Sequence, residues 1–377
     1  MEKGAGKKSL QGHKYQGNHD KKNDFKVPVE DRLVRSVDHI AELSGKEAKL
    51  TGLKNLKVEL LSLQLPPSTD DAPADQGNMV SLSYLLDELD QAMSAYTEER
   101  MDYYLKRLSR SLTKHRSNGT NDLNLNQWKI YKDIITDSYW HLDRRESSQG
   151  NSAWYWGNFV PQIPRQFMLR FTRRNDWVFD PFAGSGTTLF EASNLGRNSV
   201  GIELNAETTA RVTGALDELK NNSRSRAIMI NADSLVADFN KIFAGIGAPP
   251  PKLILLHPPY FDIIHFSSDE RDLSNSASLE IFLDRMSIIG KKCYHILAEG
   301  GHLVIVIGDK YASGSWIPVG FYSMQRLMEC GFTLKSIIVK NFEDTRGKRN
   351  QKELWRYRAL AGGYYVFKHE YIFLLQK

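Results

Sequence analysis

The sequence predicts an α/β fold: a doubly wound, mostly parallel sheet covered by helices, preceded by a helical region without strand-like runs. Three observations carry this. Up to about residue 125, apolar residues recur at helical spacing; beyond it, short β-branched and apolar runs alternate with segments of helix length. The first clear run, WVFD (177–180), passes straight into a glycine-rich turn, DPFAGSGTT (180–188), and then into a helical pattern. A strand-to-helix turn of that kind is where such a sheet comes closest to a ligand.

Residues 1–26 carry seven lysines against three acids, with almost no apolar side chain, so we read 1–28 as a solvated basic tail. A helical region is expected over 29–125. Leu33, Val34, Ile40 and Leu43, then Leu60 and Leu61, suggest helix between about 29 and 65, and PPSTDDAPADQGN (66–78) reads as a linker. Leu85, Leu86, Leu89, Met93 and Tyr96, then Tyr104, Leu105, Leu108 and Leu112, mark two helices between about 81 and 115. The second is basic on its polar side through Arg100, Lys106, Arg107, Arg110, Lys114 and Arg116. Such a stripe is a solvated face unless nucleic-acid chemistry appears elsewhere in the chain.

The remaining strand runs are SVGIEL (199–204), AIMIN (227–231), LILL (253–256), HLVIVIG (302–308), LKSIIVK (334–340) and EYIFLLQ (370–376), making seven with WVFD. The last two, joined by a long polar loop, are expected to close the sheet as a hairpin. No run of apolar residues is long enough for a membrane span, and the start lacks the apolar segment of a secretory signal. Cys293 and Cys330 lie far apart without zinc-ligand spacing, which suits a reducing cytoplasm and points to neither a disulfide framework nor a metal site. A net charge of +5 is compatible with a polyanionic partner without demanding one.

The glycine turn lacks the third glycine of the dinucleotide fingerprint and the lysine of a phosphate-binding Walker loop. It opens instead with an acid, Asp180, a poor neighbour for pyrophosphate and a good one for an ammonium group. Glu203 ends the next strand about twenty residues after the glycines, where an acid can hold both ribose hydroxyls. Asp233, in NADSL, ends the third strand and is placed to accept from an adenine amino group. Ammonium, ribose and adenine in one molecule describe S-adenosylmethionine. The expected cofactor contacts are Asp180, Phe182, Ala183, Gly184, Ser185, Gly186, Thr187, Glu203, Leu204, Asp233 and Ser234.

The strand LILL ends in HPPYFD (257–262), where two prolines force the chain out of the sheet on a stiff backbone and present Tyr260 at its carboxyl edge. Together these residues resemble the amino-methyltransferases of DNA, which methylate the exocyclic nitrogen of adenine or cytosine. DPFAGSGTT looks like their motif I and HPPY like their motif IV, with His257 where Asp, Asn or Ser is usual. GNFVPQIPRQFMLRFT (157–172) is similar to their motif X, which helps enclose the methionine part of the cofactor. The likeness covers about residues 130–377 in the order X, I, IV.

The resemblance implies a Rossmann-like class I methyltransferase domain over 126–377, with a seven-stranded sheet. It also implies candidate catalytic residues His257, Pro258, Pro259 and Tyr260. His257 and the Pro258 carbonyl would accept from the amine, while Tyr260 would stack on a base flipped out of the duplex. Neutral histidine accepts through one ring nitrogen only, so its tautomer matters. Neither cysteine lies in the Pro-Cys setting of a carbon-5 cytosine enzyme. The expected partner is double-stranded DNA. Its contacts are assigned to 343–363, where Arg346, Lys348, Arg349 and Arg356 interleave with Trp355 and Tyr357. Recognition or homodimerisation is assigned to the helical region, with the loop FDIIHFSSDERDLSNSAS (261–278), leaving the HPPY segment directly, as another candidate for recognition. The resemblance favours adenine N6 over cytosine N4, since the cytosine-amino enzymes generally show Thr-Ser before Pro-Pro, whereas here Leu256 and His257 follow an apolar strand. Methylation of structured RNA and a silent DNA-binding subunit are the alternatives.

Overall fold

The computed structural model of the chain describes residues 26–63, 79–142, 145–146, 154–155, 157–219, 225–341 and 352–377. It divides into two compact units, one holding the described residues up to Gly119 with Leu123–Ile134, the other Thr120–Asp122 and Ile135–Lys377. Most of the expected basic tail, and the linker at 66–78, lie outside the described residues.

The first unit contains β1 (Lys26–Pro28), α1 (Asp31–Glu42), α2 (Lys46–Ser62), β2 (Met79–Ser81), α3 (Leu82–Met93) and α4 (Glu98–Thr113), with β1 and β2 paired antiparallel. Helix starts are fixed by side chains: Ser81 accepts from the Tyr84 N–H and Thr97 from the Arg100 N–H. The apolar stripes meet in a core that includes Val37, Leu53, Leu89, Met101 and Leu105. The stripe on α4 is partly used within the unit. Arg107 pairs with the buried Glu88, which Lys129 also holds at 2.6 Å, and the Arg100 guanidinium lies 4.8 Å over the Tyr104 ring. Lys114 and Arg116 fall beyond the helix end.

In the second unit the strands are β3 (Tyr139–His141), β4 (Trp177–Asp180), β5 (Asn198–Glu203), β6 (Ala227–Asn231), β7 (Leu253–Leu256), β8 (His302–Ile307), β9 (Lys310–Ala312), β10 (Ser315–Ile317), β11 (Thr333–Asn341) and β12 (His369–Gln376). Between them run α5 (Gln162–Phe171), α6 (Thr187–Asn194), α7 (Ala206–Leu219), α8 (Phe239–Gly245), α9 (Leu279–Ile296), α10 (Val319–Glu329) and α11 (Lys352–Gly362). One sheet has the order β3-β11-β12-β8-β7-β4-β5-β6, and β9 with β10 forms a separate ribbon. All its pairings are parallel except those of β12, which runs antiparallel to both β11 and β8. The seven expected strands are present and the last pair is a hairpin, with the short β3 added at the edge.

The central strands β4, β7 and β8 are buried at every position, because apolar residues fill both of their faces rather than alternate positions. Ile254 and Leu256 enter one core with Leu303, Ile305 and Ile307, and Leu253 and Leu255 enter another with Val304 and Val306. Cys293 is buried in the first of these cores. The loop expected over 343–363 differs: its described part is the helix α11, built from the helix formers of KELWRYRALAG.

The strand order reverses between β4 and β7, which are direct neighbours with Val178 opposite Leu253 and Phe179 opposite Ile254. In an open sheet of this kind a crevice forms at the carboxyl ends of the strands on either side of the reversal. Asp180 ends β4 and His257 follows β7, so topology alone brings the glycine turn and the HPPY segment together.

Candidate active site

The turn after β4 needs glycine at two positions, since Gly184 (φ +48°) and Gly186 (φ +76°) occupy the left-handed region. A Cβ at 186 would also come within 2.7 Å of Val212. Asp180 holds the turn from beneath: it is 1% exposed, and its carboxylate accepts from the Phe182 N–H at 2.9 Å and from the Thr188 hydroxyl at 2.6 Å. Burial, helped by the charge of Glu203, pushes its carboxyl up to about 7 against these two bonds.

The next strand is fastened to the same turn. Glu203 accepts from the Gly184 N–H at 3.0 Å and from the Asn205 N–H at 2.8 Å, and the Ala183 N–H donates to the Ile202 carbonyl at 2.9 Å. Burial holds the Glu203 carboxyl above its ordinary range, opposed by the Asn205 and Gly184 N–H groups. Ser234 donates to the Pro181 carbonyl at 2.6 Å, Asp233 accepts from the Leu235 N–H at 2.8 Å, and the Leu204 carbonyl accepts from the Asn231 amide at 2.9 Å. Thr187 starts α6 and is buried, and Phe182 packs against the core. The sequence-assigned cofactor residues are thus gathered at the ends of three adjacent strands.

Part of what covers the turn, Trp154, Tyr155, Arg211 and Phe266, was not assigned to the cofactor site from the sequence. A Cβ at Gly184 would meet the Tyr155 ring at 3.1 Å, and that ring stacks on Phe266 with centroids 6.1 Å apart. The Arg211 guanidinium lies 4.0 Å over Trp154. Asn158 donates to the Ser185 hydroxyl at 2.9 Å, and Phe159 meets the His257 ring edge-on at 4.7 Å. The aromatic run AWYW (153–156) immediately before the motif X likeness was the available signal for Trp154 and Tyr155.

At the HPPY segment, Pro258 is buried and Pro259 half-buried. His257 Nε2 lies 3.1 Å from the Tyr260 hydroxyl, which donates to Glu370 at 2.8 Å. Glu370 pairs in turn with Lys340 at 2.8 Å. Burial pushes the His257 ring down to about 4, with Lys340 acting in the same direction and Glu370 against it. The ring is therefore neutral at physiological pH. Neither Glu370 nor Lys340 stands out in the sequence, because their link to Tyr260 exists only once β11, β12 and β8 are in register.

Of the residues assigned to nucleic acid, Arg346, Lys348 and Arg349 lie outside the described residues. Trp355, on α11, is half-buried with the Arg358 guanidinium 5.2 Å over its ring, and Arg356 is exposed. No described helix is long and apolar enough to cross a membrane, and the described residues contain no group of three or more His, Cys, Asp or Glu able to hold a metal ion.

Comparison with known proteins bears on this arrangement. The chain shares short stretches with Type II methyltransferases: M.MjaII of Methanocaldococcus jannaschii, 43% identical over 77 residues, which are 20% of this chain and 14% of the relative; M1.MboII of Moraxella bovis, 34% over 88 residues, 22% and 34%; and M.HindIII of Haemophilus influenzae, 34% over 102 residues, 26% and 31%. The matches span about a third or less of those relatives. Among solved structures, TrmN from Thermus thermophilus is similar at a TM-score of 0.36 and 18% identity, over 58% of this chain and 49% of that one. A methyltransferase from Pyrococcus furiosus is similar at 0.36 and 13%, over 58% and 83%. Structural likeness at this level is too slight to inform the function. The model of the DNA methylase family, by contrast, matches residues 17–212 and 252–377, the greater part of the sequence including both the glycine turn and the HPPY segment. The chain belongs to the DNA methylase family.

Proposed function

We propose that this chain moves a methyl group from S-adenosylmethionine to the exocyclic amino group of a base in double-stranded DNA, adenine N6 in preference to cytosine N4. The observation that carries the reading is the adjacency of β4 and β7, which sets the Glu203-braced glycine turn beside the HPPY segment at the reversal of strand order. The site residues fit the cofactor. An ionised carboxylate offers about four acceptor positions; the Gly184 and Asn205 N–H groups take two at Glu203, leaving acceptors for a ribose. Asp233, bonded to the Leu235 N–H, retains acceptor capacity for an adenine amine. Asp180 serves the methionine side by shaping the turn.

When bound, S-adenosylmethionine supplies an electrophilic sulfonium methyl. An aromatic amine is a weak nucleophile because its lone pair is delocalised into the ring. His257 and the Pro258 carbonyl accept its two protons as hydrogen bonds, which frees the lone pair toward the methyl. The base leaves the duplex to reach them, with the Tyr260 ring as the neighbouring aromatic surface. Phosphate contacts fall to the basic stretch 346–358, and site recognition or dimerisation to the helical unit.

The test is transfer of label from S-adenosylmethionine to unmethylated duplex DNA, run beside structured RNA. The reading expects label in DNA; label in RNA alone would redirect it to an RNA substrate.

A further inference from the structure

Glu370, Lys340, Tyr260 and His257 form one continuous chain of polar contacts across the carboxyl edge of the sheet. Lys340 and Glu370 are direct cross-strand partners on β11 and β12, with side chains 9% and 13% exposed and 2.8 Å between charged atoms. The Tyr260 hydroxyl donates to the other Glu370 oxygen at 2.8 Å, and His257 Nε2 is 3.1 Å from the same hydroxyl.

The proton positions follow from valence. Burial opposes ionisation of Glu370, yet Lys340, with lesser help from His257 and Tyr260, holds its carboxyl below the ordinary range. An ionised carboxylate can only accept, and a tyrosine hydroxyl has one proton. That proton goes to Glu370, so the contact with His257 must use the tyrosine oxygen as acceptor and Nε2–H as donor. A neutral imidazole protonated on Nε2 has its lone pair on Nδ1.

We propose that Glu370 and Lys340 are positioning residues: acting through Tyr260, they hold His257 in the Nε2–H tautomer and make Nδ1 the acceptor offered to the amine of the target base. The proposal rests on the reading that His257 accepts from that amine. It supplies what a histidine needs there, since an imidazole accepts at a given nitrogen only when its proton is held at the other. The groups facing His257 are Tyr260 from its own segment, Glu370 and Lys340 from β12 and β11, and the uncharged Phe159 ring.

Glu370→Gln tests this with nearly unchanged shape. Lys340 can only donate and takes the amide oxygen, which turns the amide NH2 toward Tyr260. The tyrosine oxygen then accepts, its proton turns to His257 Nε2, and the imidazole proton moves to Nδ1. The readout is the imidazole ¹⁵N spectrum of the DNA-free protein, with the His257 signals assigned by their loss in His257→Asn. The proposal expects protonated Nε2 in the unsubstituted protein and protonated Nδ1 in Glu370→Gln. It also expects methyl transfer at saturating DNA to fall by about 10²-fold or more, with S-adenosylmethionine affinity by calorimetry within about twofold. If Glu370→Gln fails to fold, Tyr260→Phe gives the second reading: with the bridge cut, His257 is expected as a mixture of tautomers. Protonated Nδ1 in the unsubstituted protein, or an unchanged tautomer in either variant, would overturn the proposal. Since the spectrum needs neither DNA nor turnover, protonated Nε2 in a protein that methylates nothing would sink the methyl-transfer reading while leaving the hydrogen-bond chain intact.

Discussion

Gly308 leaves the space through which the Tyr260 ring passes: a Cβ at position 308 would meet its Cε2 at 3.0 Å and its Cδ2 at 3.1 Å. Position 308 follows β8, and β8 lies between β7, which leads to His257, and β12, which carries Glu370. The ring must therefore cross the end of β8 to join the two. Gly308→Ala is expected to displace it, at a cost of about 1–3 kcal/mol of stability. It should lower kcat severalfold while cofactor affinity is retained. Thermal unfolding and a methyl-transfer assay check this, and wild-type values in both would mean the ring yields freely.

Asp180 gives the apo protein a pH signature. Its folded-state carboxyl lies near 7 because it is buried, against an ordinary value of 3.8. Between those values the folded protein holds a proton that the unfolded chain has released, so the contribution of Asp180 to stability is full below the lower value and is lost as pH rises through about 7. Asp180→Asn removes that titration. Denaturation midpoints from pH 4 to 8 should therefore fall less steeply in the variant, and parallel profiles would contradict the assignment.

On the proposed reading, His257 sets the acid limb of activity. With its ring held down to about 4, it stays a neutral acceptor well below the ordinary histidine value of 6.5. Below about 4 both nitrogens donate and the acceptor is lost. The rate at saturating substrates is expected to be flat from pH 8 to 5, with circular dichroism confirming the fold at each point. A fall centred near 6.5 would mean that His257 is less enclosed in the working protein.

The central strands and their ends were legible in the sequence because these strands are buried on both faces, so LILL and HLVIVI stand out as apolar runs. The glycines at 184 and 186 were legible for a related reason: the backbone there is left-handed. Glu370 and Lys340 were not. Glu370 is second in its strand and Lys340 next to last in its own, where charge is unremarkable, and Glu370 is separated from Tyr260 by 110 positions. Only the antiparallel register sets Lys340 opposite Glu370, and register is not a property of either strand alone. Helix α11 was missed because the interleaved basic and aromatic residues of 343–363 were read as a DNA-contacting loop, whereas Leu354, Leu360 and the neighbouring Glu and Ala favour helix.

Arg356 is exposed on α11 and free to meet a phosphate, whereas the Arg358 guanidinium already lies over Trp355. Arg356→Glu is expected to weaken DNA binding across sequences and to reduce the slope of log affinity against log salt by about 1. Calorimetry should find cofactor binding unchanged. Titration of a labelled duplex over a range of salt checks it, and an unchanged slope would remove α11 from the DNA interface.

The central claim is that this site methylates an exocyclic amine of DNA. Its most direct measurement is mass spectrometry of nucleosides released from duplex DNA after incubation with the protein and S-adenosylmethionine carrying a heavy methyl group. The account predicts heavy N6-methyladenosine in the deoxy series, and its absence when His257 is replaced by alanine. Heavy 5-methylcytosine, or no heavy nucleoside from DNA of any sequence, would contradict it.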